Sequence, residues 1–330
     1  FGRSVVKGEL RIGVNPVVWS NDDLPVLGDR NSLERCLREA REAGYAGVEL
    51  GHKFPRDPAD LRPLLDRHGL ALVSGWYGGR LLERSPEAEL DAAAAQVGLL
   101  EAMGCDVFIY AEAAGCVHGV RGRPLEARRR LDRSELAAFG GALTAFAEGL
   151  KARGLLLAYH HHMGTVIQTM EELEALIACT GDDVGLTLDT GHVAFAGGDP
   201  GLVARRFLAR IRHVHLKDVR RTVIAAAESG PSSYLDAIVD GVFTVPGDGD
   251  LDFAPVLSAL RDGGYAGWLV VEADQDPTYA EPLRFARMGH AHVRAVASSV
   301  GLELPPPGPT SIDPTSSVSS PGSGSGRGPA

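Results

Sequence analysis

Four short apolar segments between residues 155 and 272 each close with a side chain that can bind a metal ion. They are LLLAYH with His160, VGLTLD with Asp189, IRHVH with His215, and WLVVE with Glu272. Two imidazole nitrogens and two carboxylate oxygens suit Mn²⁺, Co²⁺, Fe²⁺ or Zn²⁺ better than Mg²⁺, and they differ from a thiolate structural zinc site. Each residue alone is a weak signal, but the same pattern at four successive segments predicts one divalent-cation site.

Single residues of this set also fit simpler structural roles. Asp189 could serve only as the N-cap of a following helix, and Glu272 could pair with an arginine instead of a cation. The two-residue period of a strand places His160 and His162 on one face, so either can be the ligand from its segment. His213 lies one layer deeper in its segment and is predicted to be a core or supporting histidine.

Apolar runs alternate with stretches of helical period, and this alternation predicts the elements that position the ligands. The runs cover residues 10–17, 47–50, 70–76, 106–111, 155–162, 184–189, 211–217 and 268–273, and the helical stretches include 32–44, 85–104, 134–154, 169–181 and 253–264. Eight strands alternating with helices close naturally into a single (β/α)8 TIM barrel, whose active site lies at the carboxyl ends of the strands. An open doubly wound sheet is the alternative, but no GxGxxG motif follows the first run. The long segment 219–252 is predicted to be an irregular, lid-like loop.

Composition and charge are those of an ordinary globular protein. Hydrophobic residues make up 44% and charged residues 23% of the 330 positions. The net charge of −10 disfavours a nucleic-acid partner, and no apolar run is long enough to span a membrane. Scattered cysteines and the lack of a recognisable signal peptide lead us to expect reduced thiols and a cytoplasmic location. We expect a catalytic domain over residues 1–304 and a disordered Pro/Gly/Ser-rich tail over 305–330.

The strand ends resemble those of the xylose isomerase-like TIM-barrel superfamily, whose typical members bind a divalent cation with Glu, Asp, His and Glu. The motifs DTGH, HVHLKD and VVEAD supply Asp189, His215 and Glu272, whereas His160 stands where many relatives have Glu. Longer segments narrow the resemblance to the myo-inosose-2 dehydratases of inositol catabolism. These segments are GVNPVVWSNDDLPVLG, GVELGHKFPRD, YHHHMGT and DGVFTVPGDGDLDF, and the resemblance extends from about residue 12 to about residue 297.

The resemblance implies a metal-dependent hydro-lyase. Its substrate would be 2-keto-myo-inositol (scyllo-inosose), a small cyclic polyol ketone, and its product a trihydroxycyclohexane-1,2-dione. The resemblance also implies Mn²⁺ or Co²⁺ as the cation and glutathione as a further cofactor. Barrels of this type often form homo-oligomers, and we expect that this chain can form one too.

Dehydration of a ring ketone requires a base for the α-proton and an acid for the departing β-hydroxyl, both placed around the cation. Glu272 is the candidate base, and His162 or Lys217 is the candidate acid. The candidates for binding substrate hydroxyls are Trp19, Asn21, His52, Lys53, Trp76 and His192.

A keto-sugar epimerase or isomerase of the same fold is the main alternative function. Epimerases of this superfamily place two Glu ligands across the substrate, so that a proton leaves one face and returns on the other. Here His160 stands in place of one of these Glu residues. An elimination does not need this pair of bases. A repair nuclease is disfavoured by the net charge of −10. A non-catalytic polyol-binding protein would bind its ligand without metal and without turnover.

Overall fold

The structure, a computed structural model, describes residues 9–230 and 232–306. Its strands are β1 (Arg11–Val14), β2 (Gly47–Leu50), β3 (Ala71–Gly79), β4 (Val107–Glu112), β5 (Leu156–His160), β6 (Val184–Asp189), β7 (Ile211–Leu216), β8 (Asp218–Val219), β9 (Phe243–Thr244) and β10 (Trp268–Val271). Its α-helices are α1 (Leu33–Glu42), α2 (Pro58–His68), α3 (Pro86–Met103), α4 (Arg133–Ala152), α5 (Met170–Ala178), α6 (Thr190–Phe195), α7 (Pro200–Arg206), α8 (Arg221–Glu228), α9 (Tyr234–Val239), α10 (Ala254–Asp262) and α11 (Pro282–Ser299).

The barrel is a closed ring of parallel strands in the order β1-β10-β7-β6-β5-β4-β3-β2. Strands β4, β6 and β10 are buried along their whole length, because the barrel interior lies on one side of them and the helices on the other. Burial on both faces explains why the strands read as continuous apolar runs in the sequence. The predicted (β/α)8 fold is confirmed, and each predicted run overlaps one barrel strand.

Local sequence explains where two of the helices begin. Ser85 caps α3 with Pro86 at its first position. Thr169 and Glu172 form a capping box at the start of α5, in which each side chain accepts a main-chain N–H of the other. These caps fix where the connecting helices begin after their strands.

Side chains fill the amino-terminal end of the barrel. Trp268, at the start of β10, packs there with Val73 and Val270. A Cβ atom on Gly47 would lie 2.6 Å from the Trp268 ring, so this position requires glycine. The guanidinium carbon of Arg11 lies 4.0 Å from the centroid of the same ring. The described side chains thus fill this end of the barrel and leave the carboxyl ends of the strands as the side for a ligand.

The described residues of the segment 219–252 are folded, and the prediction that the segment would be irregular is wrong. It contains α8, α9 and β9, which pairs antiparallel with β8. Its apolar side chains form a second core cluster with residues that follow β5 and β6, and this packing orders the segment. The members include Met163, Phe195, Ile224, Tyr234, Leu235, Ile238 and Phe243. We call residues 219–252 the lid, because they lie over the carboxyl end of the barrel.

Two sequence expectations concern the ends of the chain and membranes. The predicted tail at 305–330 lies outside the described residues from 307 onward, so the tail and the boundary at 304 stay predictions. Within residues 9–230 and 232–306, every helix is too short or too polar to cross a bilayer.

Candidate metal centre

Four ligating side chains meet at the carboxyl end of the barrel. They are His160 at the end of β5, Asp189 at the end of β6, His215 in β7 and Glu272 directly after β10. One nitrogen or oxygen atom from each lies within 4.8 Å of the others. The Nδ1 atom of His215 is 2.5 Å from Oε2 of Glu272 and 3.5 Å from Oδ2 of Asp189. All four side chains are buried, and we call them the metal cluster.

Four atoms of the metal cluster are buried without a hydrogen-bond partner among the described residues. They are His160 Nδ1, Asp189 Oδ2, His215 Nδ1 and Glu272 Oε2. The two carboxylate oxygens of Asp189 have different roles. Oδ1 accepts the His192 main-chain N–H at 2.8 Å as the N-cap of α6, and Oδ2 faces the cluster. Lone pairs facing one another in a buried site are unfavourable unless a proton or a metal ion lies between them. The donor set therefore fits a divalent cation that accepts mixed nitrogen and oxygen ligands.

The structure favours His160 over His162 as the ligand from β5. Nε2 of His160 lies 3.5 Å from Asp189 Oδ2. Nδ1 of His162 instead lies 2.7 Å from the main-chain oxygen of Met163, to which it donates because a carbonyl only accepts. Burial, with His118 and His160 nearby, holds the pKa of His162 well below its ordinary value. His162 is therefore neutral and leaves Nε2 as an acceptor.

Lys217 brings a positive charge into the site from the end of β7. Its Nζ lies 2.7 Å from Asp274 Oδ2, 3.0 Å from Glu272 Oε1 and 3.6 Å from Asp189 Oδ2. Burial opposes the charge, but these three carboxylates hold the pKa of Lys217 well above its ordinary value. Burial likewise opposes ionisation of Asp189, but Lys217 is the main charge that holds the pKa of this carboxyl well below its ordinary range. Three carboxylates thus share one ammonium group, and the excess negative charge favours a further cation.

Glu49 of β2 holds His215 from the side away from the metal cluster. Its Oε1 lies 3.1 Å from Nε2 of His215 and 2.7 Å from Nε2 of His213, and its Oε2 accepts from Asn15 Nδ2 at 2.7 Å. Burial opposes its charge, but His215 and His213 hold the pKa of Glu49 below its ordinary value. Because a carboxylate only accepts, each imidazole donates through Nε2. Burial opposes a charge on His215, but Glu272 and Glu49 hold the pKa of His215 well above its ordinary value, so a cation that binds in the cluster would replace the proton on Nδ1. Glu49 is a positioning residue, and His213 supports it.

Glu49→Gln is expected to weaken cation binding by about 10- to 100-fold, because His215 loses the acceptor that fixes its tautomer. The measurement is the dissociation constant of Mn²⁺ or Co²⁺ by isothermal titration calorimetry. Glu112→Gln is the matched control, because Glu112 is equally buried at the end of β4 but bonds Tyr110 and main-chain N–H groups outside the cluster. Equal affinities for wild type and Glu49→Gln would contradict the positioning role.

Two predicted substrate-binding residues, Trp76 and His192, line the space beside the cluster. The Trp76 ring is 36% exposed, and its centroid lies 5.1 Å from that of His160 and 5.2 Å from that of His162. The His192 ring centroid lies 3.9 Å from that of His162, and its Nε2 lies 3.3 Å from Lys217 Nζ. An aromatic face and polar ring edges are thus available to a ligand at the mouth of the barrel.

Asn21 and His52 lie on the loops after β1 and β2, and their contact with substrate stays a prediction. Asn21 is buried and reaches the site through Asp274, to which its Nδ2 donates at 3.3 Å. Nδ1 of His52 lies 2.6 Å from Oδ1 of Asp22, and the His52 side chain is half-buried.

Trp19 and Lys53 are engaged within the protein in this structure, and their contacts with substrate hydroxyls stay a prediction. Trp19 is buried and donates its indole N–H to Glu39 of α1 at 2.7 Å. The ammonium of Lys53 donates to main-chain oxygens of the loop before α1, those of Gly28 (2.9 Å), Asp29 (3.0 Å) and Asn31 (2.7 Å). These bonds use the donors that a substrate would need.

The sequence analysis did not assign three residues near the site the roles that they have in the structure. Glu49 carried a usable signal, since a carboxylate inside the apolar run GVEL needs a buried partner, as at Glu272. His118 lies on the loop after β4, with its ring centroid 5.1 Å from that of His162. Tyr234 lies in the lid, with its centroid 4.8 Å from the same ring. Nothing local in the sequence places these two rings, because their position depends on how long loops dock.

Similarity to known proteins covers nearly the whole barrel. The sequence model of the family described as "Xylose isomerase-like TIM barrel" matches residues 37–288. The chain belongs to this family. Within it, the chain is 48% identical to "Rhizopine catabolism protein MocC" of Rhizobium meliloti, over 92% of this chain and 93% of that protein. It is 38% identical to "Inosose dehydratase" of Erwinia tasmaniensis, over 87% of this chain and 98% of that protein. The resemblance inferred from the strand ends is confirmed.

Solved structures share the xylose isomerase-like barrel at low sequence identity. The IolI protein with a bound zinc atom is 16% identical, with a TM-score of 0.64 over 88% of this chain and 99% of that chain. An L-ribulose 3-epimerase is 21% identical, with a TM-score of 0.60 over 88% of this chain and 96% of that chain. At these identities the likeness shows the fold alone.

Proposed function

We propose that this protein is a metal-dependent inosose dehydratase. It removes one water from scyllo-inosose (2-keto-myo-inositol) and gives a trihydroxycyclohexane-1,2-dione. One observation carries the proposal. A chain 38% identical to an inosose dehydratase, over 98% of that protein's length, holds a buried cluster of His160, Asp189, His215 and Glu272 at the mouth of its barrel.

The proposed cation is Mn²⁺ or Co²⁺, which the mixed nitrogen and oxygen donor set supports. When bound, such a cation supplies Lewis-acid polarisation of the ketone oxygen. We retain three further proposals from the sequence, namely a role for glutathione, a homo-oligomeric assembly and a cytoplasmic location. All four cysteines lie in described positions and are unpaired, which supports the last of these.

Glu272 is the proposed base for the α-proton of the substrate. Its Oε1 lies 3.0 Å from Lys217 Nζ and its Oε2 lies 2.5 Å from His215 Nδ1. Burial opposes ionisation, but His215 and Lys217 hold the pKa of Glu272 below its ordinary value. The carboxylate is therefore ionised at neutral pH and can accept a proton.

Lys217 is the proposed acid for the departing β-hydroxyl. It is an ammonium inside the site, held by Asp274 and Glu272, with protons to donate. His162, the other candidate, donates a hydrogen bond from its Nδ1–H to the Met163 carbonyl and carries no second proton when neutral. We assign His162 the role of an acceptor for a substrate hydroxyl. Transfer of the α-proton to Glu272 and loss of the β-hydroxyl as water leave an enol, which tautomerises to the dione.

Incubation of the Mn²⁺- or Co²⁺-loaded protein with scyllo-inosose is expected to give a product lighter by one water, detected by mass spectrometry. An epimerase or isomerase would give a product of unchanged mass. The same protein treated with a chelator is the control and is expected to leave the substrate intact. Absence of any product from the metal-loaded protein would contradict the proposed function.

Rhizopine belongs in the same substrate panel, because the relative at 48% identity is named for rhizopine catabolism. Turnover of rhizopine without turnover of scyllo-inosose would overturn the proposed substrate while retaining the role of the metal cluster.

A further inference from the structure

A tyrosine of the lid lies beside the metal cluster with its hydroxyl unpaired. Tyr234 begins α9 and is fully buried. Its ring centroid lies 4.8 Å from that of His162 and 5.9 Å from that of His192, the two histidines beside the cluster. Its phenolic oxygen is buried and has no hydrogen-bond partner in the part of the chain that the structure describes.

The packing of the lid requires the ring of Tyr234 but not its hydroxyl. The ring belongs to the apolar cluster that also contains Leu235, Ile238 and Phe243, and a phenylalanine ring would fill the same space. A buried hydroxyl without a partner is unfavourable, and such groups are rare in folded proteins. A ligand that presents an oxygen atom to this position would remove the penalty.

The charges around Tyr234 favour a donor role for its hydroxyl. Burial is the main cause that holds the pKa of Tyr234 well above its ordinary value, and four carboxylates act in the same direction. They are Asp274, Asp23, Glu272 and Asp189. The phenol therefore keeps its proton and can donate it in a hydrogen bond to a neutral ligand oxygen.

Contacts with the loop after β4 fix the position of Tyr234. Ser233 caps α9 by accepting the Asp236 N–H at 3.1 Å, and it forms an antiparallel bridge with Pro124. Arg121 Nε also donates to Asp236 Oδ1 at 3.0 Å. The lid and this loop thus form one wall, and the hydroxyl is in position before a ligand arrives.

We propose that Tyr234 is a substrate-binding residue that donates its phenolic O–H to a ring hydroxyl of the bound polyol. The lid then selects rings that carry an oxygen at the matching carbon. This inference rests on the proposed function, because it takes the ligand to be a polyhydroxylated ring.

Tyr234→Phe tests the inference, because it removes one oxygen and keeps the ring. We expect it to raise the KM for scyllo-inosose and the Kd for myo-inositol, a ring without the ketone, each by about 10-fold. Cation affinity is expected to stay unchanged. Tyr159→Phe is the matched control, because Tyr159 is equally buried but packs against Phe139 of α4, on the outer side of β5. A series of monodeoxy-inositols then identifies the partner, since one member should lose affinity in wild type and not in Tyr234→Phe.

The outcomes separate the inference from the proposed function. If wild type dehydrates scyllo-inosose and Tyr234→Phe has the same KM and Kd, the inference is overturned and the function stands. If Tyr234→Phe weakens myo-inositol binding while wild type dehydrates nothing, the inference stands and the function is overturned. A wild-type protein that neither binds nor converts either ring overturns both.

Discussion

Glu272→Gln is expected to lower kcat for scyllo-inosose by about 10²- to 10⁴-fold, the range that a general base contributes. Glutamine keeps the size of the side chain and one oxygen, but it cannot accept the α-proton. The direct measurement is exchange of the α-proton for deuterium in D₂O, followed by NMR, because exchange reports on proton removal before water departs.

The same substitution changes a proposed ligand, so the two roles of Glu272 must be separated. Cation content is measured in parallel, and rates are compared at saturating Mn²⁺ or Co²⁺. Glu101→Gln is the control, because it removes a carboxylate that pairs with Arg153 at the protein surface. Exchange at the wild-type rate in metal-loaded Glu272→Gln would remove Glu272 from the role of base.

The barrel and the metal cluster could be predicted because they depend on local and regular features. Strand length, the two-residue period and the closure of parallel strands together dictate that the last side chains of neighbouring strands converge. The pairing of Asp189 with His215 across β6 and β7 is a direct consequence of this register. The same rule could not choose between His160 and His162, because both lie on one face. The turn after β5, where His162 bonds the Met163 carbonyl, makes that choice.

Residue type alone does not show which polar side chains have partners within the protein. Trp19 and Lys53 have donors that suit a polyol, but Glu39 and the carbonyls of the loop before α1 take them. Tyr234, in contrast, was not identified from the sequence, because it reaches the site only when the lid folds and docks. Substrate contacts thus depend on tertiary packing of long loops, which the strand pattern does not encode.

Asp189→Asn is expected to weaken binding of Mn²⁺ or Co²⁺ by at least about 100-fold, since loss of a supporting group around a ligand alone costs 10- to 100-fold. Asparagine caps a helix as well as aspartate does, so its oxygen can keep the bond that Oδ1 makes to the His192 N–H. The amide NH₂ then replaces Oδ2 and presents donors to His215 and Glu272 where a cation would otherwise lie. The measurement is the cation Kd by calorimetry.

Thermal unfolding separates the ligand role of Asp189 from its capping role. Binding to the folded state alone raises stability, so wild type should gain Tm on addition of Mn²⁺ and Asp189→Asn should not. Without metal, the variant is expected to be less stable than wild type, because Lys217 loses one of its three carboxylates, so each protein is compared with and without Mn²⁺. Asp199→Asn is the matched control, because Asp199 caps α7 through the same kind of bonds and lies outside the cluster. A metal-dependent rise in Tm that survives in Asp189→Asn and equals that of Asp199→Asn would show that this carboxylate caps α6 and binds no metal.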